Sequence, residues 1–150
     1  MDGIVITELH LAARLFQSGI WKFFERNELK LLMTDFCYDD DVQNQGSHFD
    51  TTMLVKSGHL TIKGLNEKET EQMGLLYRRY KPKFLCKTVS AIVLAKEMDF
   101  ILISDDELVR DTVIEDFNLA AYNSEWLYQA IVRQIKLENL VDAVNILRKV

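Results

Sequence analysis

Phe100, Ile101, Leu102 and Ile103 form an apolar run with the composition of a strand buried on both faces, and Ser104, Asp105, Asp106 and Glu107 follow it directly. Ser104 with Glu107 three residues on has the spacing of a capping box and predicts that a helix opens there. Asp105 and Asp106 then lie at a strand-to-helix junction, the place where open α/β sheets bind ligands. Acids are also ordinary helix caps and dipole partners, so either residue alone has an equally good structural explanation. Glu8 closes a second apolar run, residues 4–7, and Asp39, Asp40 and Asp41 follow a third, residues 29–33. Carboxylates brought together from separate strand ends can hold Mg²⁺ or Mn²⁺, polarise a phosphodiester and generate a hydroxide-like nucleophile. On that chemistry Glu8, Asp40 and Asp106 are the candidate catalytic residues, and Glu8, Asp40, Asp105 and Asp106 the candidate metal ligands. Three consecutive acids such as those at 39–41 are otherwise expected to be solvated.

The elements that must position these acids follow from hydrophobic spacing. The run at residues 3–7 predicts a first buried strand, and Leu11, Leu15 and Phe16 a helix behind it. Ile20, Phe23 and Phe24 stripe a second helix, with Trp21 over the same core. Thr34 or Asp35 caps a helix carrying Phe36, Tyr38 and the acids. Phe49, Met53 and Leu54 suggest a short helix with Gly58 at its C-cap, and the alternation over residues 59–63 predicts a strand at a sheet edge. Asn66 and Glu69 have capping-box spacing before a stripe of Met73, Leu76, Tyr77 and Tyr80, which Pro82 ends. Residues 88–98 are apolar nearly all round and predict a helix packed directly beneath the sheet. A helix with Val109 and Val113, a short strand at 119–122, a helix capped by Asn123 or Ser124 and a separate last helix through Leu140, Val144 and Leu147 complete the chain. Helices alternating with buried strands predict one domain, residues 1–150: a three-layer α/β sandwich with a mainly parallel sheet.

The formal charge of −5 excludes a broad basic surface, so any nucleic-acid contact must be local. Arg78, Arg79, Lys81 and Lys83 are the best local candidate; a solvated helix end that complements the dipole is the competing explanation. Cys37 and Cys86 lack metal-ligand spacing and read as small buried hydrophobes of a reducing compartment. His10, His48 and His59 share no metal spacing either. Phosphate-binding loops, dinucleotide glycine patterns, HExxH and a nucleophile elbow are absent from the sequence. No leader-like start and no long apolar run is present, which predicts a cytoplasmic protein that makes no use of a membrane.

Val5-Ile6-Thr7-Glu8-Leu9-His10, Thr34-Asp35-Phe36-Cys37-Tyr38-Asp39-Asp40, and Leu94-Ala95-Lys96-Glu97 leading to Leu102-Ile103-Ser104-Asp105-Asp106 and Arg110 together resemble the PIN-domain (PilT N-terminus) family, which includes toxins of many prokaryotic toxin–antitoxin pairs. The resemblance implies a helix-sandwiched parallel sheet, an acidic pocket for Mg²⁺ or Mn²⁺, endoribonuclease activity on RNA, an antitoxin-like partner and a homodimer. This chain departs from the family pattern: the first-strand aspartate falls on Glu8, the following asparagine on His10, the helical glutamate on Asp40 and the central-helix aspartate on Thr88. Asp106 alone keeps its type. Two readings stay open: a divergent metal-dependent endoribonuclease with weakened or lost activity, and an inactive domain that binds RNA or a protein and needs no metal.

Overall fold

The structure, a computed structural model, describes residues 3–17, 20–45 and 51–148. Its elements are β1 (Gly3–Ile6), α1 (Leu9–Gln17), α2 (Trp21–Arg26), β2 (Lys30–Thr34), α3 (Asp35–Gln45), α4 (Thr51–Lys56), β3 (Thr61–Lys63), α5 (Glu67–Tyr80), α6 (Cys86–Met98), β4 (Ile101–Ile103), α7 (Glu107–Phe117), β5 (Ala121–Tyr122) and α8 (Ser124–Arg148). The sheet has the order β3-β2-β1-β4-β5, and every pairing in it is parallel. The strand order reverses between β1 and β4, which pair with Val5 opposite Leu102 and Ile6 opposite Ile103. Their carboxyl ends therefore meet at a topological switch point, where such sheets form a crevice.

The central strands have no solvated face: Val5, Ile6, Met33, Leu102 and Ile103 are all fully buried. That explains their unbroken apolar runs, because a parallel sheet is covered by helices on both sides. Helix α6 supplies one cover, with Val89, Ser90, Ala91, Ile92, Val93, Leu94 and Ala95 buried in succession against β1, β2 and β4. At the start of β1 a Cβ on Gly3 would stand 2.5 Å from the Phe100 ring and 2.9 Å from the Lys30 carbonyl oxygen, so only glycine admits this approach. Strand β3 lies at the sheet edge and is only half-buried, as its alternating sequence predicts. Asn66 and Glu69 form the expected reciprocal capping box of α5, at 2.8 and 2.9 Å. Gly58 takes φ +80° just beyond α4, as a C-terminal glycine should. Phe49 and His48 lie outside the described residues.

Three local expectations are corrected. The end of the chain is a single helix, α8, since no Gly or Pro interrupts it between Ile131 and Val144. Ser104 does not cap α7: Asp106 is the N-cap and accepts the N–H of Leu108, while Ser104 Oγ accepts the N–H of Asp106. Asp41, expected in solvent with its neighbours, is 3% exposed. It lies one helical turn after the fully buried Cys37, so the helix period carries it to the inner face.

Candidate functional site

The carboxyl ends of β1, β2 and β4 deliver Glu8, Thr34, Ser104, Asp105 and Asp106 to one edge of the sheet, and α3 and α6 bring Asp40, Asp41, Lys87 and Ser90 against it. Thr34 is the cap of α3: its Oγ1 accepts the N–H of Cys37 at 3.1 Å and stands 2.8 Å from Ser90 Oγ. Ser90 also donates to the carbonyl of Lys87 at 2.6 Å, and the Cys37 thiol does the same at 3.2 Å. This buried polar seam ties the first turn of α6 to the first turn of α3. Burial raises the Cys37 pKa against the weaker pull of its bonds to Thr34 and Ser90, so the thiol stays protonated and inert.

The acids divide between two halves of the edge. On the α3 side Asp41 Oδ2 accepts the N–H of Leu9 at 2.6 Å, so a carboxylate from a distant helix satisfies the open N-terminus of α1. Its other oxygen, Oδ1, lies 3.6 Å from Lys87 Nζ, which is 2.8 Å from Asp40 Oδ2. Partial burial pulls the Lys87 pKa down, but the hydrogen bond to Asp40 and the charges of Asp41 and Asp40 outweigh it and hold the ammonium above its ordinary value. On the β4 side Asp105 accepts both the N–H and the hydroxyl of Ser124, each at 2.8 Å. Lost hydration raises that carboxyl, yet the Ser124 bonds, with help from His10 and Arg110, bring its pKa below the usual value. Asp106 Oδ1 takes the Leu108 N–H at 2.9 Å, and Glu8 pairs with His10 at 3.0 Å.

Glu8 and Asp106 thus follow paired strands, while Asp40 is drawn toward Lys87 and Asp105 toward the start of α8. Among the described residues no group of three His, Cys, Asp or Glu side chains could hold a metal ion. A pocket for Mg²⁺ or Mn²⁺ requires converging oxygens with charge to spare. Here Lys87 engages Asp40 and Asp41, His10 engages Glu8, Ser124 engages Asp105, the Leu9 and Leu108 N–H groups engage Asp41 and Asp106, and half-buried Thr88 adds no charge. The residues present do not fit a bound divalent ion in this arrangement.

Lys87 and Asp41 were missed as site residues, although both left traces in the sequence. A lysine in the first turn of a helix opposes the dipole and calls for a carboxylate nearby, and Asp41 is four residues after Cys37 on the same helix face. Arg78, Arg79, Lys81 and Lys83 are all at least partly exposed, at the end of α5 and in the connection to α6. Trp21 is buried, whereas Trp126 is 40% exposed and stacks on Tyr122 with ring centroids 3.7 Å apart. No described helix is long and apolar enough to cross a membrane.

No protein-family model and no curated protein matches the sequence. Among solved structures the chain is similar to a PilT N-terminus domain protein from the hyperthermophilic archaeon Sulfolobus solfataricus P2, with a TM-score of 0.58 and 15% identity, covering 87% of this chain and 93% of that one. The fold is therefore PIN-like: a parallel five-stranded sheet between helices, with its acids at the carboxyl edge.

Proposed function

We propose that this chain is a nucleic-acid-related PIN-like domain that binds RNA without cutting it, its metal-dependent endoribonuclease activity having lapsed. The observation that carries the reading is the pairing of Lys87 with Asp40 and Asp41 at the sheet edge where a metal-dependent nuclease would need free carboxylates. RNA contact is assigned to Arg78, Arg79, Lys81 and Lys83. Their accessibility, the Arg79 guanidinium 5.3 Å from the Tyr80 ring centroid, and the neighbouring exposed Leu75 and Leu85 support a strand-binding surface of cations and apolar groups.

A second reading, a weak Mg²⁺- or Mn²⁺-dependent endoribonuclease of toxin type, draws on one observation: Glu8 and the exposed Asp106 follow β1 and β4, which are paired. A homodimer or an antitoxin-like cover belongs to either reading and is supported by the exposed Leu137, Val141, Ile146 and Leu147 of α8. Gel-shift titration of single-stranded RNA in the presence of a chelator separates the readings. The binding module retains RNA without metal, and loses it on combined Arg78→Glu and Arg79→Glu substitution. Absence of any shift in low salt contradicts it.

A further inference from the structure

Carboxylates gathered at the end of a sheet repel one another unless a cation balances them, and in this chain a side chain supplies that cation. We propose that the ammonium group of Lys87 is a built-in cation that occupies the acidic side of the cleft in place of a divalent metal ion. The inference rests on the metal-free reading above, but it concerns what keeps metal out and not whether RNA binds.

Lys87 Nζ stands 2.8 Å from Asp40 Oδ2 and 3.6 Å from Asp41 Oδ1. A magnesium ion on the same oxygens would sit at about 2.0–2.1 Å from them, so ion and ammonium compete for one volume. Neither the ammonium nor the Asp41 carboxylate is free to move away. The Lys87 side chain is only 20% exposed, and the start of its helix is fixed by Ser90, which bonds both the Lys87 carbonyl and Thr34. Asp41 cannot turn toward Asp106 without releasing the Leu9 N–H, which would uncap α1. Because the ammonium is tethered, its effective concentration at the carboxylates exceeds that of a dilute free ion, and its charge repels any cation that approaches. First-turn placement of a lysine in α6, unfavourable against the helix dipole, is stabilised by the same pairing.

Lys87→Met removes the charge and keeps most of the apolar stem, and calorimetric titration with Mn²⁺ in the absence of RNA, beside thermal melts with and without Mn²⁺, tests the proposal. The unmodified protein is expected to take up no Mn²⁺ at millimolar concentration. Lys87→Met is expected to bind at least about tenfold more tightly than any residual uptake by the parent, and to melt higher when Mn²⁺ is added. Lys87→Met with Asp40→Asn should lose both effects, and Lys87→Arg should stay without metal. If Lys87→Met is unfolded in chelator, Mn²⁺ must restore its native circular dichroism. A variant that ignores Mn²⁺, folded or not, overturns the proposal, as does unmodified protein that binds Mn²⁺ as tightly as Lys87→Met. Failure of the RNA gel shift sinks the functional reading alone, since the metal titration contains no RNA.

Discussion

The carboxylate of Asp41, in α3, accepts the backbone N–H of Leu9, the first residue of α1, at 2.6 Å across 32 residues of chain. An acid that could serve as a ligand is thereby used as a structural cap, with Lys87 on its other oxygen. Asp41→Ala would leave a buried N–H and a lysine unpaired together and is expected to cost about 3 kcal/mol. Asp41→Asn keeps an acceptor for Leu9 and should cost about 1 kcal/mol. Urea unfolding of the three proteins checks this; equal stabilities would contradict the assigned role.

Asp106 caps α7 through the Leu108 N–H. Asparagine caps a helix as well as aspartate, so Asp106→Asn should change stability by less than about 0.5 kcal/mol, while Asp106→Ala should lose about 1 kcal/mol. The comparison is made by denaturant melts in chelator and again in Mn²⁺. A large Mn²⁺-dependent difference between the unmodified protein and the Asp106→Asn variant would assign the carboxylate to a metal instead.

Stability should fall at both pH extremes for different residues. The Asp105 carboxyl lies below its ordinary 3.8, so the unfolded chain takes up the proton first. Its contribution is complete above that value and is lost as pH falls through the lower folded one. The Lys87 ammonium lies above its ordinary 10.5, so its contribution is complete below that value and is lost as pH rises through the folded one. Asp105→Asn should flatten the acid limb and leave the alkaline limb unchanged, whereas Lys87→Met should flatten the alkaline limb, as read from unfolding free energy against pH. Interchanged effects would refute both assignments.

Much of the fold was legible because its signals are local. The burial of β1 and β4 on both faces, the edge position of β3, the capping box of Asn66 with Glu69 and the buried circumference of α6 all follow from runs, alternation and spacing. The unity of α8 was not, since its two apolar stretches read as two helices when only the absence of a breaker joined them. Ser104 carried the right spacing for a cap, but Asp106, nearer the helix, has a side chain that reaches Leu108 directly. The candidate site was legible only in residue type. Which carboxylate faces Lys87 and which faces a helix start depends on how α3, α6 and α1 pack together, and those contacts span tens of residues.

RNA affinity, if it resides in the basic cluster, must depend on salt. Each phosphate contact contributes about 0.9 to the slope of log affinity against log salt on a duplex and about 0.7 on a single strand. Arg78→Ala with Arg79→Ala should therefore reduce the slope by about 1.4 on single-stranded RNA. An unchanged slope, measured by fluorescence anisotropy, would place the contact elsewhere.

RNA cleavage by the unmodified protein in millimolar Mn²⁺, run beside Asp106→Asn from the same purification, tests the central claim most directly. With Lys87 paired to Asp40 and Asp41 the protein should retain RNA and yield no products above the metal-only control. Metal-dependent cleavage that disappears in Asp106→Asn would show that the acidic edge is still a nuclease and would contradict it.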